Sequence, residues 1–168
     1  MTYRPATYRL EPLTAAQARD ILGWQYPEPY DFYNPPPLLR PDEDYIREFL
    51  NPEYQFHAVL SEQADFVGFC SFGLDGQVPG GTYDDSALDI GLGMRPELTG
   101  QGRGASFFHA IMNYATERFE ASALRLTVAC FNTRAIRLYE QFGFRTERTF
   151  QEPASWVDFQ IMRRDLQQ

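Results

Sequence analysis

Gly100, Gly102 and Gly104 stand at alternate positions, directly after the run Leu88-Asp89-Ile90-Gly91-Leu92-Gly93-Met94-Arg95-Pro96-Glu97-Leu98-Thr99. Beyond them Phe107, Phe108, Ile111, Ala115 and Phe119 recur at three-to-four spacing, which makes one apolar helix face. A strand therefore runs through a glycine turn into a helix. The first N–H groups of a helix have no internal partner and lie at the positive end of its dipole. Glycine at that point lets the backbone approach a ligand closely and adopt positive φ. The chemistry this permits is the holding of a phosphate-sized anion. An exposed dipole contributes only about 0.3–1 kcal/mol, so direct N–H hydrogen bonds must carry the affinity. A tight, ligand-free connection is the competing reading. Two nucleotide sites fit poorly: the turn lacks the lysine and Ser/Thr of a P-loop, and it lacks G-x-G-x-x-G spacing.

A second segment, Ala129-Cys130-Phe131-Asn132-Thr133-Arg134-Ala135-Ile136-Arg137-Leu138-Tyr139-Glu140-Gln141-Phe142-Gly143-Phe144, reads as strand end, helix and exit. Asn132 suits the N-cap, Ala135, Leu138, Tyr139 and Phe142 form an apolar stripe, and Gly143 suits a left-handed exit. Together the two segments resemble the GCN5-related N-acetyltransferase (GNAT) superfamily. Met94-Arg95-Pro96 matches its strand end, Gly102 and Gly104 its two key glycines, and Asn132 through Phe144 its following helix. Thr99 stands where that family has Arg or Gln. The resemblance spans about residues 55 to 163 and is strongest from Asp89 to Phe144.

The resemblance implies acetyl-coenzyme A as co-substrate and acetyl transfer to an amine in one ternary complex. The N–H groups of Thr99, Gly100, Gln101, Gly102, Arg103, Gly104 and Ala105 would then hold the coenzyme diphosphate. The backbone of Leu92 and Met94 would pair with the pantetheine arm, a backbone N–H near them would face the oxyanion, and Asn132 would join the coenzyme-binding set. Tyr139 occupies the family's acid position, where its hydroxyl would protonate the coenzyme sulfur. A core tyrosine is the alternative. Asp89 is a candidate base, acting through water, against the alternative of a solvated strand-end carboxylate.

On the acceptor side, Tyr26-Pro27-Glu28-Pro29-Tyr30-Asp31-Phe32-Tyr33-Asn34-Pro35-Pro36-Pro37 combines prolines, aromatics and two acids. Prolines lower the entropy of holding such a wall, and aromatics beside carboxylates suit a cationic amine. Tyr26, Tyr30, Asp31 and Tyr33 are the substrate-binding candidates. The expected acceptor is a primary amine of a small molecule, with peptide or protein N-termini as a second class. A catalytically idle acetyl-coenzyme A sensor and a nucleotide-binding module are the readings of other kinds.

These residues need elements to position them. Tyr8 to Leu13 alternates as a strand. Thr14 caps a helix from Ala15 to Leu22, closed by Gly23. Tyr26 to Pro41 is too proline-rich for helix or strand, and Asp42 to Leu50 forms a short helix. Gln55 to Ser61 and Asp65 to Leu74 suit an antiparallel hairpin, and Asp75 to Asp85 is a loop. Then come a strand from Ala87 to Met94, the glycine turn, and a helix to about Glu120. A strand from Leu124 to Cys130, a helix from Asn132 to Phe142, and strands near Phe144 to Phe150 and Trp156 to Arg163 complete the order. This is α/β (α+β), with no dividing linker, hence one domain over residues 1–168. The resemblance implies a mixed, mostly antiparallel twisted sheet of six to seven strands flanked by about four helices.

Bulk properties narrow the partners. In 168 residues, 43% are hydrophobic and 23% charged, which fits a globular chain rather than a disordered one. A net charge of −8 disfavours nucleic acid, which asks for a basic patch. No apolar run approaches the roughly 20 residues of a membrane span. Met1-Thr2-Tyr3-Arg4-Pro5 has no apolar stretch behind its charge, so no secretory signal is expected. Cys70 and Cys130 sit in apolar segments without a C-x-x-C partner and read as reduced thiols of a cytoplasmic protein. His57 and His109 are the only histidines. Without ligand-spaced clusters, no metal is expected. The expected state is monomer or homodimer.

Overall fold

The computed structural model describes residues 5–166. Met1 to Arg4, read above for a secretory signal, lie outside them. The elements follow in the order β1 (Tyr8–Pro12), α1 (Ala15–Leu22), α2 (Asp42–Phe49), β2 (His57–Ser61), β3 (Phe66–Phe72), β4 (Leu88–Met94), α3 (Gly104–Arg118), β5 (Ala123–Ala129), α4 (Thr133–Gln141), β6 (Arg145–Gln151) and β7 (Asp158–Asp165). The hydrogen-bonded strand order is β1-β2-β3-β4-β5-β7-β6. β4 and β5 run parallel, with Leu88 opposite Leu124 and Asp89 opposite Arg125. The β1–β2, β2–β3, β5–β7 and β6–β7 pairs are antiparallel. The mixed, mostly antiparallel α/β sheet is the one expected from the sequence.

The chain divides into two compact units: residues up to Cys70 together with Leu92–Ala115, and Ser71–Gly91 together with the residues from Thr116 onward. In the first, Thr14 and Gln17 form a complete capping box at the start of α1, which satisfies two otherwise orphaned donors. Leu13, Ala18, Ile21, Trp24, Ile46, Ala58 and Leu60 make a buried cluster, against which Tyr26, Phe49, Phe56, Phe66 and Phe69 pack. Phe69 lies where a side chain on Gly93 would be, its ring 2.6 Å from the position a Cβ would take. Gly93 is therefore required by close approach, not by backbone conformation.

In the second unit β5 is buried almost throughout and pairs along its length with β7. Asn132 Oδ1 accepts from Ala135 N at 3.2 Å to cap α4, and Gly143 leaves the helix at φ +86°. Both were legible in the sequence. Several elements differ from expectation by a residue or two, as where β2 begins at His57 and not Gln55. Tyr30–Tyr33 forms a short 3-10 turn within the proline-rich segment. Phe119 lies one residue past α3, its ring 5.0 Å from that of Phe72. The last strand starts at Asp158, because Trp156 sits at φ +61° in a turn whose Ala154 and Ser155 amides bond the Glu152 carboxylate.

Candidate functional site

The glycine turn belongs to the first unit. Arg95, Pro96 and Leu98 wind a 3-10 turn after β4, closed by Leu98 N to Arg95 O at 3.0 Å and Thr99 N to Pro96 O at 3.2 Å. Thr99 Oγ1 donates to the same Pro96 carbonyl at 2.8 Å, and Gln101 Nε2 donates to Glu97 O at 2.8 Å. Gly100 and Gly102 then take φ +72° and +74°, a region where glycine carries no Cβ penalty. The first hydrogen bond of α3 is Phe107 N to Arg103 O at 3.1 Å. From Gly102 to Ala105, no backbone N–H has an acceptor among the described residues. A Cβ added at Gly102 would meet nothing within 4 Å. The turn thus offers unbonded donors with open space at Gly102, which fits a diphosphate. Thr99, expected among the donors, is instead engaged through both its N–H and its hydroxyl in closing the preceding turn.

β4 ends at Met94, whose carbonyl accepts the Tyr26 hydroxyl at 2.7 Å. Burial, helped by the negative charge of Glu97, raises the Tyr26 phenol to about 12. Tyr26 was expected to meet the acceptor; its polar tip points to the strand instead. This pairing also engages the Met94 carbonyl, one of the backbone groups expected to meet pantetheine. Leu92 and Tyr30 are half-buried, and Asp31 and Tyr33 are exposed. The Phe32 and Tyr33 rings meet edge to face at 5.3 Å.

Asp89 belongs to the second unit, and its surroundings overturn the reading of a free base. Asp89 is 3% exposed and Arg125 2%. Arg125 Nε reaches Asp89 Oδ1 at 2.7 Å and Nη2 reaches Oδ2 at 2.8 Å, while Gln77 Nε2 adds a third donor at 3.0 Å. The parallel register that sets Asp89 opposite Arg125 makes this pair. A carboxylate so buried and so fully bonded is a structural anion. The hydrogen bonds that Arg125 donates to Asp89 raise its guanidinium further above the ordinary range.

Arg125 also holds the loop before β4. It donates to Asp84 Oδ1 at 3.1 Å and to Asp84 O at 2.9 Å. The Ser86 hydroxyl and N–H, followed by Arg125, lower the Asp84 carboxyl to about 2, against roughly 3.9 for an ordinary Asp. A depressed folded-state pKa stabilises above the unfolded value, and that contribution disappears as pH falls through the folded value. Asp84→Asn is therefore expected to flatten the decline of Tm between about pH 4 and pH 2. An unchanged acid limb in a melting series would show that the loop carboxylate is not linked to folding.

Tyr139 is buried on α4, its ring 6.3 Å from that of Phe144. Asn132, expected near the coenzyme, caps α4 as described. His57 is buried, with Nδ1 at 2.7 Å from Gln55 O and Nε2 at 3.0 Å from the Tyr114 hydroxyl. His109 is exposed and meets Asn113 at 3.0 Å. Both cysteines are free thiols, and burial raises the pKa of Cys70. A depression of about 930 Å³ in the second unit is lined by Arg145, Arg163, Arg164, Glu147 and Asp165 among others, and by none of the sequence-predicted residues. Among the described residues, no group of three or more His, Cys, Asp or Glu could hold a metal ion. No helix among them is long and apolar enough to cross a membrane.

Sequence reasoning missed Arg125 and the Tyr26–Met94 bond. The first had a signal: one arginine inside the apolar run Leu124-Arg125-Leu126 needs a buried partner. The second had none.

The model of the acetyltransferase (GNAT) family matches residues 16–144. No curated protein matches the chain. Among solved structures it is similar to an acetyltransferase (GNAT family) from Bacillus anthracis, at 16% identity and a TM-score of 0.71 over 98% of both chains. It is similar to mutant forms of the spermidine/spermine N-acetyltransferase SpeG from Vibrio cholerae, at 20% identity and a TM-score of 0.68 over 95% of both chains. It is also similar to the aminoglycoside acetyltransferase AAC(6′)-Ib in complex with coenzyme A, at 16% identity and a TM-score of 0.72 over 95% of both chains. At these identities the structures testify to the fold alone, whereas the family model covers most of the chain. The chain belongs to the GNAT acetyltransferase family, and its class is that of acyl-coenzyme A-dependent N-acyltransferases.

Proposed function

We propose that this protein moves the acetyl group of acetyl-coenzyme A onto a primary amine of a small, positively charged molecule, by direct attack in a ternary complex. The observation that carries the reading is the row of N–H groups from Gly102 to Ala105 without an acceptor among the described residues, beside open space at Gly102. Overall charge supports a cationic acceptor. A net charge of −8 favours the approach of a cation to the chain as a whole. Two of the similar structures are enzymes named for spermidine/spermine and for aminoglycosides, which are candidate acceptors to try here.

An amine with an ordinary pKa near 10.4 is neutral in only about one molecule in a few thousand at pH 7, so attack on the thioester requires removal of a proton. Asp89 does not serve, since Arg125 and Gln77 engage it. Protonation of the departing thiolate falls in this reading to Tyr139, by its match to the family's acid position. Tyr139→Phe is expected to lower turnover about 100-fold, in the range that a general acid contributes, with coenzyme affinity nearly unchanged. Turnover equal to wild type removes Tyr139 from the chemistry.

The reading as a whole is tested by calorimetry with coenzyme A and by thiol release across spermidine, an aminoglycoside and a peptide with a free N-terminus. Binding with turnover of one of the small cations is the expected result. Turnover of the peptide alone moves the acceptor class. Binding with no turnover favours the sensor reading, to which the engaged Thr99 lends its own support.

A further inference from the structure

We infer that Tyr26 is a positioning residue: its hydroxyl ties the acceptor-side segment 26–34 to the end of β4, so that coenzyme A held at the glycine turn also orders that segment. The inference rests on the reading of the Gly102–Ala105 amides as the coenzyme site.

Segment 26–34 is built as one closed piece. Asn34 Oδ1 accepts from Tyr26 N at 2.6 Å, and Asn34 Nδ2 donates to Gln25 Oε1 at 3.1 Å. Tyr30 N bonds Pro27 O at 2.8 Å and Asn34 N bonds Asp31 O at 3.0 Å. Those bonds join the segment to itself and to its root. Tyr26 Oη reaches from it to Met94 O on β4, across 68 residues of sequence. Met94 is the last residue of β4, and the 3-10 turn that leads to the glycines follows immediately.

The neighbouring position is fastened to the same part of the chain. Arg95 donates through Nε to Phe66 O at 2.9 Å and through both terminal nitrogens to Asp20 on α1. Its guanidinium lies over the rings of Trp24 and Phe66, at 5.3 and 5.4 Å. Two successive residues at the mouth of the glycine turn are thus bolted to α1 and to the segment after it. A turn so anchored cannot be ordered by a ligand without restraining what it is anchored to, and the restraint is reciprocal. With its phenol raised to about 12, Tyr26 stays protonated and donating at any assay pH.

A bland role is available: a tyrosine packed on the core cluster whose hydroxyl merely finds an acceptor. Tyr26→Phe separates the two, because phenylalanine keeps the ring packing and loses the bond to Met94. The experiment is hydrogen exchange on the full chain, with and without coenzyme A. In the wild type, coenzyme A is expected to slow exchange at 99–107 and also at the amides of 26, 28 and 30–34. In Tyr26→Phe the slowing at 99–107 remains and that at 26–34 is lost, with coenzyme affinity weakened about 3- to 10-fold, the size one hydrogen bond can transmit. Slowing at 99–107 alone in the wild type overturns the coupling and leaves the coenzyme site standing. Slowing at 26–34 that survives in the variant removes Tyr26 as the tie and overturns the inference, again leaving the coenzyme site standing. No slowing at 99–107 removes the coenzyme site and the coupling with it. Should the variant fail to fold, wild-type slowing confined to 99–107 still overturns the inference.

Discussion

Gly102→Val removes coenzyme A binding and leaves the chain folded. Gly102 has φ +74°, so a branched side chain there carries roughly 1–2 kcal/mol of backbone strain. For a chain of this size that lowers Tm by about 2–8 °C. Nothing stands within 4 Å of the added Cβ, so the fold has room where the side chain begins. The ligand does meet a collision, because the side chain fills the space that the free amides border. Charge-assisted hydrogen bonds contribute about 1.5–3 kcal/mol each, and loss of two weakens binding about 100-fold or more. Gly68 supplies the contrast: a Cβ there would stand 2.5 Å from the Phe107 ring and 2.6 Å from Gly93 O. Gly68→Ala should therefore lower Tm sharply. Calorimetry with coenzyme A on the folded Gly102→Val protein is the decisive measurement. Wild-type affinity would falsify the assignment of the turn.

What the sequence declared was what short-range physics controls. The Thr14 cap, the Asn132 cap and Gly143 after α4 are each complete within four residues, so their types alone announce the structure. The glycine turn is of the same kind: alternation of Gly100, Gly102 and Gly104 before an apolar helix face leaves few other conformations. Trp156 shows the limit. Its size favours a strand, yet the Glu152 carboxylate collects two amides and closes a turn that Trp156 must finish at positive φ. Long-range pairs were hidden altogether. Tyr26 lies 68 residues from Met94 and Asp89 lies 36 from Arg125, and only the folded sheet brings them together. Asp89 was misread for that reason: a carboxylate in a strand looks available until its cross-strand neighbour is known.

Asp89→Asn is the substitution with the largest expected effect on stability. It leaves the Arg125 guanidinium, 2% exposed, with Asp84 as its remaining carboxylate partner, and the Asp84 side chain is 72% exposed. Breaking a buried pair on one side typically destabilises by about 3–5 kcal/mol, because the remaining charge has neither water nor a full counter-charge. That corresponds to a fall in Tm of roughly 10 °C or more. Asp84→Asn removes only the solvent-facing arm and is expected to shift Tm far less at neutral pH. The two roles once open to Asp89 diverge in a double substitution. Asp89→Leu with Arg125→Met replaces the pair by apolar groups of similar volume, an exchange that often restores stability. If Asp89 only holds β4 to β5, the double variant regains both Tm and thiol release with the active amine. If Asp89 takes the substrate proton, the double variant melts like wild type and stays inactive, a result that would return the carboxylate to the chemistry and overturn the structural assignment.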